Sequence, residues 1–101
     1  MAVLKLKKPI EIDGEKKTAI EYDLDDLTGN DIERANNELA KKGVMVGMVE
    51  TDQRYHAMLF SMAARIMYED MNRLSAKDYH RATTEVRNFF LESEDTSGET
   101  L

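Results

Sequence analysis

Alternating apolar and polar positions open the chain and predict a β-hairpin. Two apolar rows with a period of two flank Asp13 and Gly14: Leu4, Leu6, Ile10 and Ile12 in the first, and Ile20, Tyr22 and Leu24 in the second. Such a period is typical of a strand with one buried face, and Asp-Gly suits the positive φ angles of a tight turn. We therefore expect a hairpin over residues 3–24. Because Pro9 has no N–H group, it predicts an edge position or a break in the first strand.

Helical periodicity follows the hairpin. Asn30 and Glu33 have the spacing of a capping box, and Gly43 is a typical helix end. These signals predict a first helix over residues 30–42. A second, central helix is expected over residues 52–71.

The third predicted helix has the clearest start signals. Ser75, with Asp78 at the third helical position, predicts a helix over residues 76–91. Residues 92–101 contain four acids without any period, which predicts a disordered acidic tail.

A hairpin alone is only marginally stable in water, so its apolar face must pack on the helices. The sequence thus predicts one α+β domain over residues 1–91, an N-terminal β-hairpin packed on a small bundle of about three α-helices.

The central helix has more apolar surface than its predicted neighbours obviously cover. One row, expected to face the core, consists of Tyr55, Leu59, Met62, Ala63 and Ile66, and a second row of Phe60, Ala64, Met67 and Met71. Methionine is flexible and polarizable. The second row therefore fits two roles, which are filling a small irregular core and docking another protein's apolar helix.

An apolar segment over residues 43–49 lies between the first two predicted helices and is interrupted by Gly47. It could form a strand or a mobile apolar loop. It fits a short buried connector, and it also fits a segment for partner binding or self-association, because exposed apolar surface needs a cover. Our hypothesis for a partner-binding surface joins this segment to the second row of the central helix: Val44, Met45, Val46, Met48, Phe60, Met67 and Met71.

Composition argues against several classes of function. The 101 residues include no cysteine, so disulfides and thiolate metal sites are excluded. His56 and His80 have no second histidine at helical ligand spacing, and phosphate-binding glycine loops are absent, so we expect no metal, no cofactor and no catalytic site. An apolar run of about 18 residues and a signal peptide are also absent, so we expect a soluble intracellular protein without membrane association.

Charge is distributed unevenly. The net charge of −6 argues against nucleic acid as a partner. Residues 1–20 carry five lysines against three acids, whereas residues 21–40 carry one arginine against seven acids. A solvated surface explains this asymmetry most simply, although such asymmetry can also orient two molecules. A spare apolar face and a hairpin edge both permit a homo-oligomer.

The order of these parts resembles the small tail assembly chaperones of long-tailed bacteriophages, in particular the Mu-like branch. The resemblance covers about residues 4–91, through Leu6-Lys7-Lys8-Pro9-Ile10, Gly14, Thr18-Ala19-Ile20, Leu27-Thr28-Gly29-Asn30-Asp31-Ile32, Leu74-Ser75-Ala76-Lys77-Asp78-Tyr79 and Val86 to Leu91. The chain departs from the family at Ile66-Met67-Tyr68, where such proteins usually have a polar or glycine-containing break.

The resemblance implies a non-enzymatic protein of the host bacterial cytoplasm. Such proteins bind the long tape measure protein, assist polymerisation of the tail tube protein around it, and are not expected in the mature virion. Two other functions remain open at this point, a structural or connector protein of the virion and a small DNA-binding regulator.

Overall fold

The computed structural model describes residues 1–99, and side chains through residue 92. Within this part, the chain forms β1 (Ala2–Ile12), β2 (Glu15–Tyr22), a 3₁₀ turn (Leu24–Asp26), α1 (Gly29–Lys41), α2 (Gln53–Ala64), α3 (Tyr68–Met71) and α4 (Ala76–Glu99). The predicted α+β class, with an N-terminal hairpin on a small helical bundle, is confirmed. Helix α4 runs beyond its predicted end at residue 91. The predicted disordered tail, residues 92–101, extends outside the described residues and stays a prediction.

The two strands pair in antiparallel fashion around a two-residue turn. Asp13 and Gly14 have φ angles of 52° and 79°, which match the type I′ turn that Asp-Gly favours. The register changes along the hairpin, because Lys5 faces Ala19 whereas Ile10 faces Lys17. Strand β1 therefore bulges over residues 6–9.

The bulge accommodates a residue that a regular strand would not. Pro9 lies between Lys5 and Ile10, the last paired residues on either side of the bulge. Its missing N–H group therefore removes no hydrogen bond from the ladder. The sequence-based expectation of a break in the first strand is met at this point.

Helix α2 lies at the centre of the molecule. It contacts α1, α3, α4 and β2, and its Leu59 and Phe60 side chains are fully buried. The Phe60 ring packs against Tyr22 of the hairpin, with 4.7 Å between the ring centroids. The core therefore forms where the inner face of the hairpin meets the central helix.

Helix α1 begins earlier than predicted. The Thr28 backbone N–H donates to the Asp31 carboxylate at 2.9 Å, so the capping box uses Thr28 and Asp31 in place of Asn30 and Glu33. Leu27 and Ile32, which flank this box, both pack against the core. Apolar residues at these two positions form a hydrophobic staple, which favours the start at Thr28.

The predicted continuous helix over 52–71 is wrong, because the helix ends at Ala64. Arg65 adopts a left-handed conformation with φ 58° and ψ 42°. Its N–H donates to the Met62 carbonyl at 3.2 Å and the Ile66 N–H donates to the Ser61 carbonyl at 3.0 Å, which is the Schellman pattern of a helix end. The next helix starts at once, because the buried Asp70 carboxylate accepts from the Met67 N–H at 3.0 Å.

The left-handed Arg65 predicts a stabilising substitution. Glycine adopts this conformation without the steric cost that a Cβ atom imposes. We expect Arg65→Gly to raise the free energy of unfolding by about 0.5–1 kcal/mol, measured by urea denaturation. Arg65→Ala is the control, because it removes the same side chain but keeps the Cβ atom. Equal stability changes in the two variants would contradict this explanation.

Candidate functional site

The loop between α1 and α2, residues 43–52, is held in place by hydrogen bonds to its backbone groups. The Val44 N–H donates to the Leu39 carbonyl at 2.9 Å, and the Asp52 N–H donates to the Met48 carbonyl at 3.0 Å. The Arg54 guanidinium donates to the Met45 carbonyl at 3.2 Å. The loop therefore presents its side chains from a defined path.

This loop exposes Met45 and Met48 but half-buries Val44 and Val46. Met45 and Met48 are 87% and 64% exposed, whereas Val44 and Val46 are half-buried and pack against the core. Val44 and Val46 thus anchor the segment while Met45 and Met48 point to solvent. Exposed apolar side chains on an ordered backbone are typical of an interaction surface.

A third exposed methionine lies at the start of α3. Met67 is 61% exposed. Two residues further on, the Glu69 carboxylate accepts from Lys42 Nζ at 2.6 Å, and Lys42 also lies over the Tyr68 ring, 5.7 Å from its centroid. These contacts join the start of α3 to the end of α1, where the loop begins. We call the set Val44, Met45, Val46, Met48 and Met67 the methionine surface.

Two residues of the sequence-based hypothesis lie elsewhere. Phe60 and Met71 are 0% exposed and belong to the core, which corrects the hypothesis for these two side chains. Phe60 is buried because α2 has neighbours on several sides. Met71 is buried because the break at Arg65 ends the helical row that would have placed it beside Met67.

An open, mainly apolar groove of about 570 Å³ runs beside the loop. It is lined by Asn36, Ala40, Gly43, Val44, Met45 and Val46. Asn36 and Ala40 lie outside the predicted set, and the signal available for them is their i, i+4 spacing on the exposed face of α1. The groove extends the methionine surface onto a helix.

Charges at the margin of this surface are paired. The hydrogen bond with Glu69 raises the pKa of Lys42, and the same bond lowers the pKa of Glu69. Burial alone would raise the pKa of Asp52, but hydrogen bonds from the Arg54 side chain and from the Arg54 and Tyr55 backbone outweigh it and lower that pKa. All four charged groups therefore stay ionised at neutral pH, and each is balanced by its neighbour.

Neither histidine forms part of a metal-ligating group. Burial and the nearby Arg87 lower the pKa of His56, and His80 Nδ1 lies 3.3 Å from Gln53 Nε2. Among the side chains that the structure describes, through residue 92, no group of three or more His, Cys, Asp or Glu residues could hold a metal ion. Among the described helices, none has the length and apolar character needed to cross a bilayer.

Comparison with known proteins identifies the family. The family described as "phage tail assembly chaperone proteins, E, or 41 or 14" matches residues 3–91, which include the hairpin, the methionine surface and most of α4. No curated protein and no solved structure matches the chain. The family match confirms the resemblance found in the sequence, and the chain belongs to the phage tail assembly chaperones.

Proposed function

We propose that this chain is a non-enzymatic chaperone that binds the tape measure protein of its phage through the methionine surface. It acts in the host cytoplasm, assists polymerisation of the tail tube protein, and leaves before the virion is complete. The observation that carries this proposal is the exposure of Met45, Met48 and Met67, together with the open, mainly apolar groove that Met45 lines. Membership of the tail assembly chaperone family supports it.

The chemistry of the methionine surface suits an apolar helix as its client. An amphipathic helix that docks in a groove buries apolar side chains at i, i+3, i+4 and i+7. Methionine side chains adjust to different partner side chains because they are unbranched and polarizable. A surface of this kind can therefore bind successive segments of a long helical client whose sequences differ.

The charge of the chain supports the same role. The net charge of −6 makes copies repel one another at long range and keeps a crowded complex in solution. Residues 21–40, with seven acids and one arginine, account for a charge of −6 on their own. A client covered with many copies would thus carry an acidic coat.

Replacement of the three methionines of the methionine surface tests the proposal. The chain is co-expressed with the tape measure protein encoded in the same genome, and the soluble client that co-purifies is measured. We expect the triple variant Met45→Gln, Met48→Gln and Met67→Gln to weaken client binding about tenfold or more. Glutamine preserves side-chain length and net charge, so the change removes apolar contact alone.

The matched control removes exposed apolar side chains elsewhere. Val3 and Leu91 are also exposed, and the Val3→Gln, Leu91→Gln variant should bind the client as the unaltered chain does. Equal binding by the triple variant and the unaltered chain would refute the methionine surface as the client site. An insoluble client with nothing bound, together with the chain in purified particles, would instead identify a structural protein of the virion.

A further inference from the structure

The two edges of the hairpin differ sharply. On β1, side chains from other elements bind the main chain at several points: the Asp78 carboxylate accepts from the Lys7 N–H at 2.9 Å and from the Lys8 N–H at 3.1 Å. Arg81 Nη1 donates to the Lys5 carbonyl at 2.8 Å, and Arg73 donates to the carbonyl of Glu11. The edge of β1 is thus covered.

The edge of β2 has no such cover. In the part of the chain that the structure describes, no hydrogen bond from outside the hairpin reaches the main chain of residues 15–22. An open groove of about 300 Å³ runs along this strand, between Lys17, Ala19 and Glu21 on one side and Arg65 and Ile66 on the other. Alternate N–H and C=O groups of an edge strand point away from its neighbour and can pair with another strand.

We propose that this edge pairs with β2 of a second copy, so that two hairpins join into a four-stranded antiparallel sheet. Main-chain hydrogen bonds would supply the attraction, as in other cases of strand addition. The charges along β2 select the second copy as the partner and fix the register.

The register follows from opposite charges. With Ala19 of one copy facing Ala19 of the other, Lys17 faces Glu21 at both ends of the pair, and opposite charges directly across two strands attract. Centring the pair on Thr18 would place Glu15 opposite Glu21. Centring it on Lys17 would place two lysines opposite each other. The register centred on Ala19 therefore combines two favourable charge pairs with pairing over residues 16–22.

Both charged side chains are accessible for this contact. Glu21 is exposed and has no ion pair among the described residues. Lys17 Nζ lies 3.0 Å from the Glu15 carboxylate, and 41% of the Lys17 side chain is accessible to solvent. Charges on an edge strand commonly keep copies apart, but here their alternation along the strand makes the antiparallel pair attractive.

Charge reversal tests this proposal on the full chain by sedimentation equilibrium over a range of concentrations. The unaltered chain should dimerise, and Lys17→Glu or Glu21→Lys alone should each weaken dimerisation roughly tenfold, because each places like charges across both ends of the pair. An equimolar mixture of the two variants should form a heterodimer, because acids on one strand then face lysines on the other. The double variant K17E/E21K should dimerise as the unaltered chain does.

These outcomes separate strand pairing from loss of fold, since a misfolded single variant could not restore association in the mixture. Recovery in the mixture supports the β2 contact. An unaltered chain that stays monomeric at about 1 mM overturns it. Dimerisation that neither single variant changes overturns it as well, because the copies would then meet through another surface.

Discussion

Replacing Met71 with glutamate is expected to unfold the domain. Met71 is fully buried, and a carboxylate there must either lose its solvation or take up a proton, at a cost of about 4–7 kcal/mol. A domain of this size has a total free energy of unfolding of about 5–15 kcal/mol. Circular dichroism and urea denaturation of Met71→Glu should therefore show a largely unfolded or strongly destabilised chain.

Met67 provides the matched comparison, because it belonged to the same predicted row but is exposed. Met67→Glu should change the free energy of unfolding by less than about 1 kcal/mol. Met71→Leu, which preserves volume, should cost less than about 1.5 kcal/mol. A folded Met71→Glu protein with near-normal stability would show that Met71 is not a core residue.

Removing the Asp78 carboxylate is expected to have the second largest effect. This buried group accepts from two β1 N–H groups and from Arg81 Nη1, at 2.9 Å for the arginine. Without it, the N–H groups of Lys7 and Lys8 lose their partner. We expect Asp78→Ala to lower the free energy of unfolding by about 3 kcal/mol and Asp78→Asn by about 2 kcal/mol. Asp25→Asn, at an exposed position, is the control for loss of charge alone.

Acid should weaken the same contact. Burial by itself would raise the pKa of Asp78, but the hydrogen bonds from the Lys7 and Lys8 backbone, with those of Ser75 and Arg81, hold it below its ordinary value of 3.8. The folded state favours the ionised Asp78 carboxylate. The stabilisation that this carboxylate provides is therefore fully present well above pH 3.8 and is lost as the pH falls below that value. Urea denaturation between neutral pH and pH 3 should therefore show a smaller acid-induced loss in Asp78→Asn than in the unaltered chain. An equal loss in both would exclude Asp78 as its source.

Local signals predicted much of this fold. The turn at Asp13 and Gly14 follows from neighbouring residues alone, and so do the starts of α2 and α4, where Asp52 and Ser75 accept hydrogen bonds from backbone N–H groups. Each of these features depends on contacts within about three residues. Sequence patterns are most informative over that range.

The features that the sequence did not predict depend on distant partners or on competing signals. Asp78 has the pattern of a helix-capping residue, and no neighbouring residue in the sequence indicates that it binds β1. The end of α2 at Arg65 involves neither glycine nor proline, the usual markers of a helix end. It depends on Asp70, which starts a new helix at Met67.

The sequence predicted the candidate surface only in part, again because burial depends on contacts with distant elements. The segment over residues 43–49 is apolar and interrupted by Gly47, so the sequence allowed both a buried connector and an exposed partner-binding segment, and the structure exposes Met45 and Met48. On the central helix, however, periodicity identifies apolar rows without showing which of them another element covers. Phe60 and Met67 have equivalent places in that pattern, and only the packing of α2 and the break after it distinguish the two.

The contact between Asp78 and the β1 bulge also sets an order of events during synthesis. Lys7 and Asp78 are 71 residues apart in the chain. The N-terminal hairpin leaves the ribosome long before α4 exists, and until α4 emerges the two bulge N–H groups can bind only water. The hairpin is therefore completed last although it is synthesised first. A nascent chain that stops before α4 would expose a β1 edge whose bulge N–H groups lack their Asp78 partner.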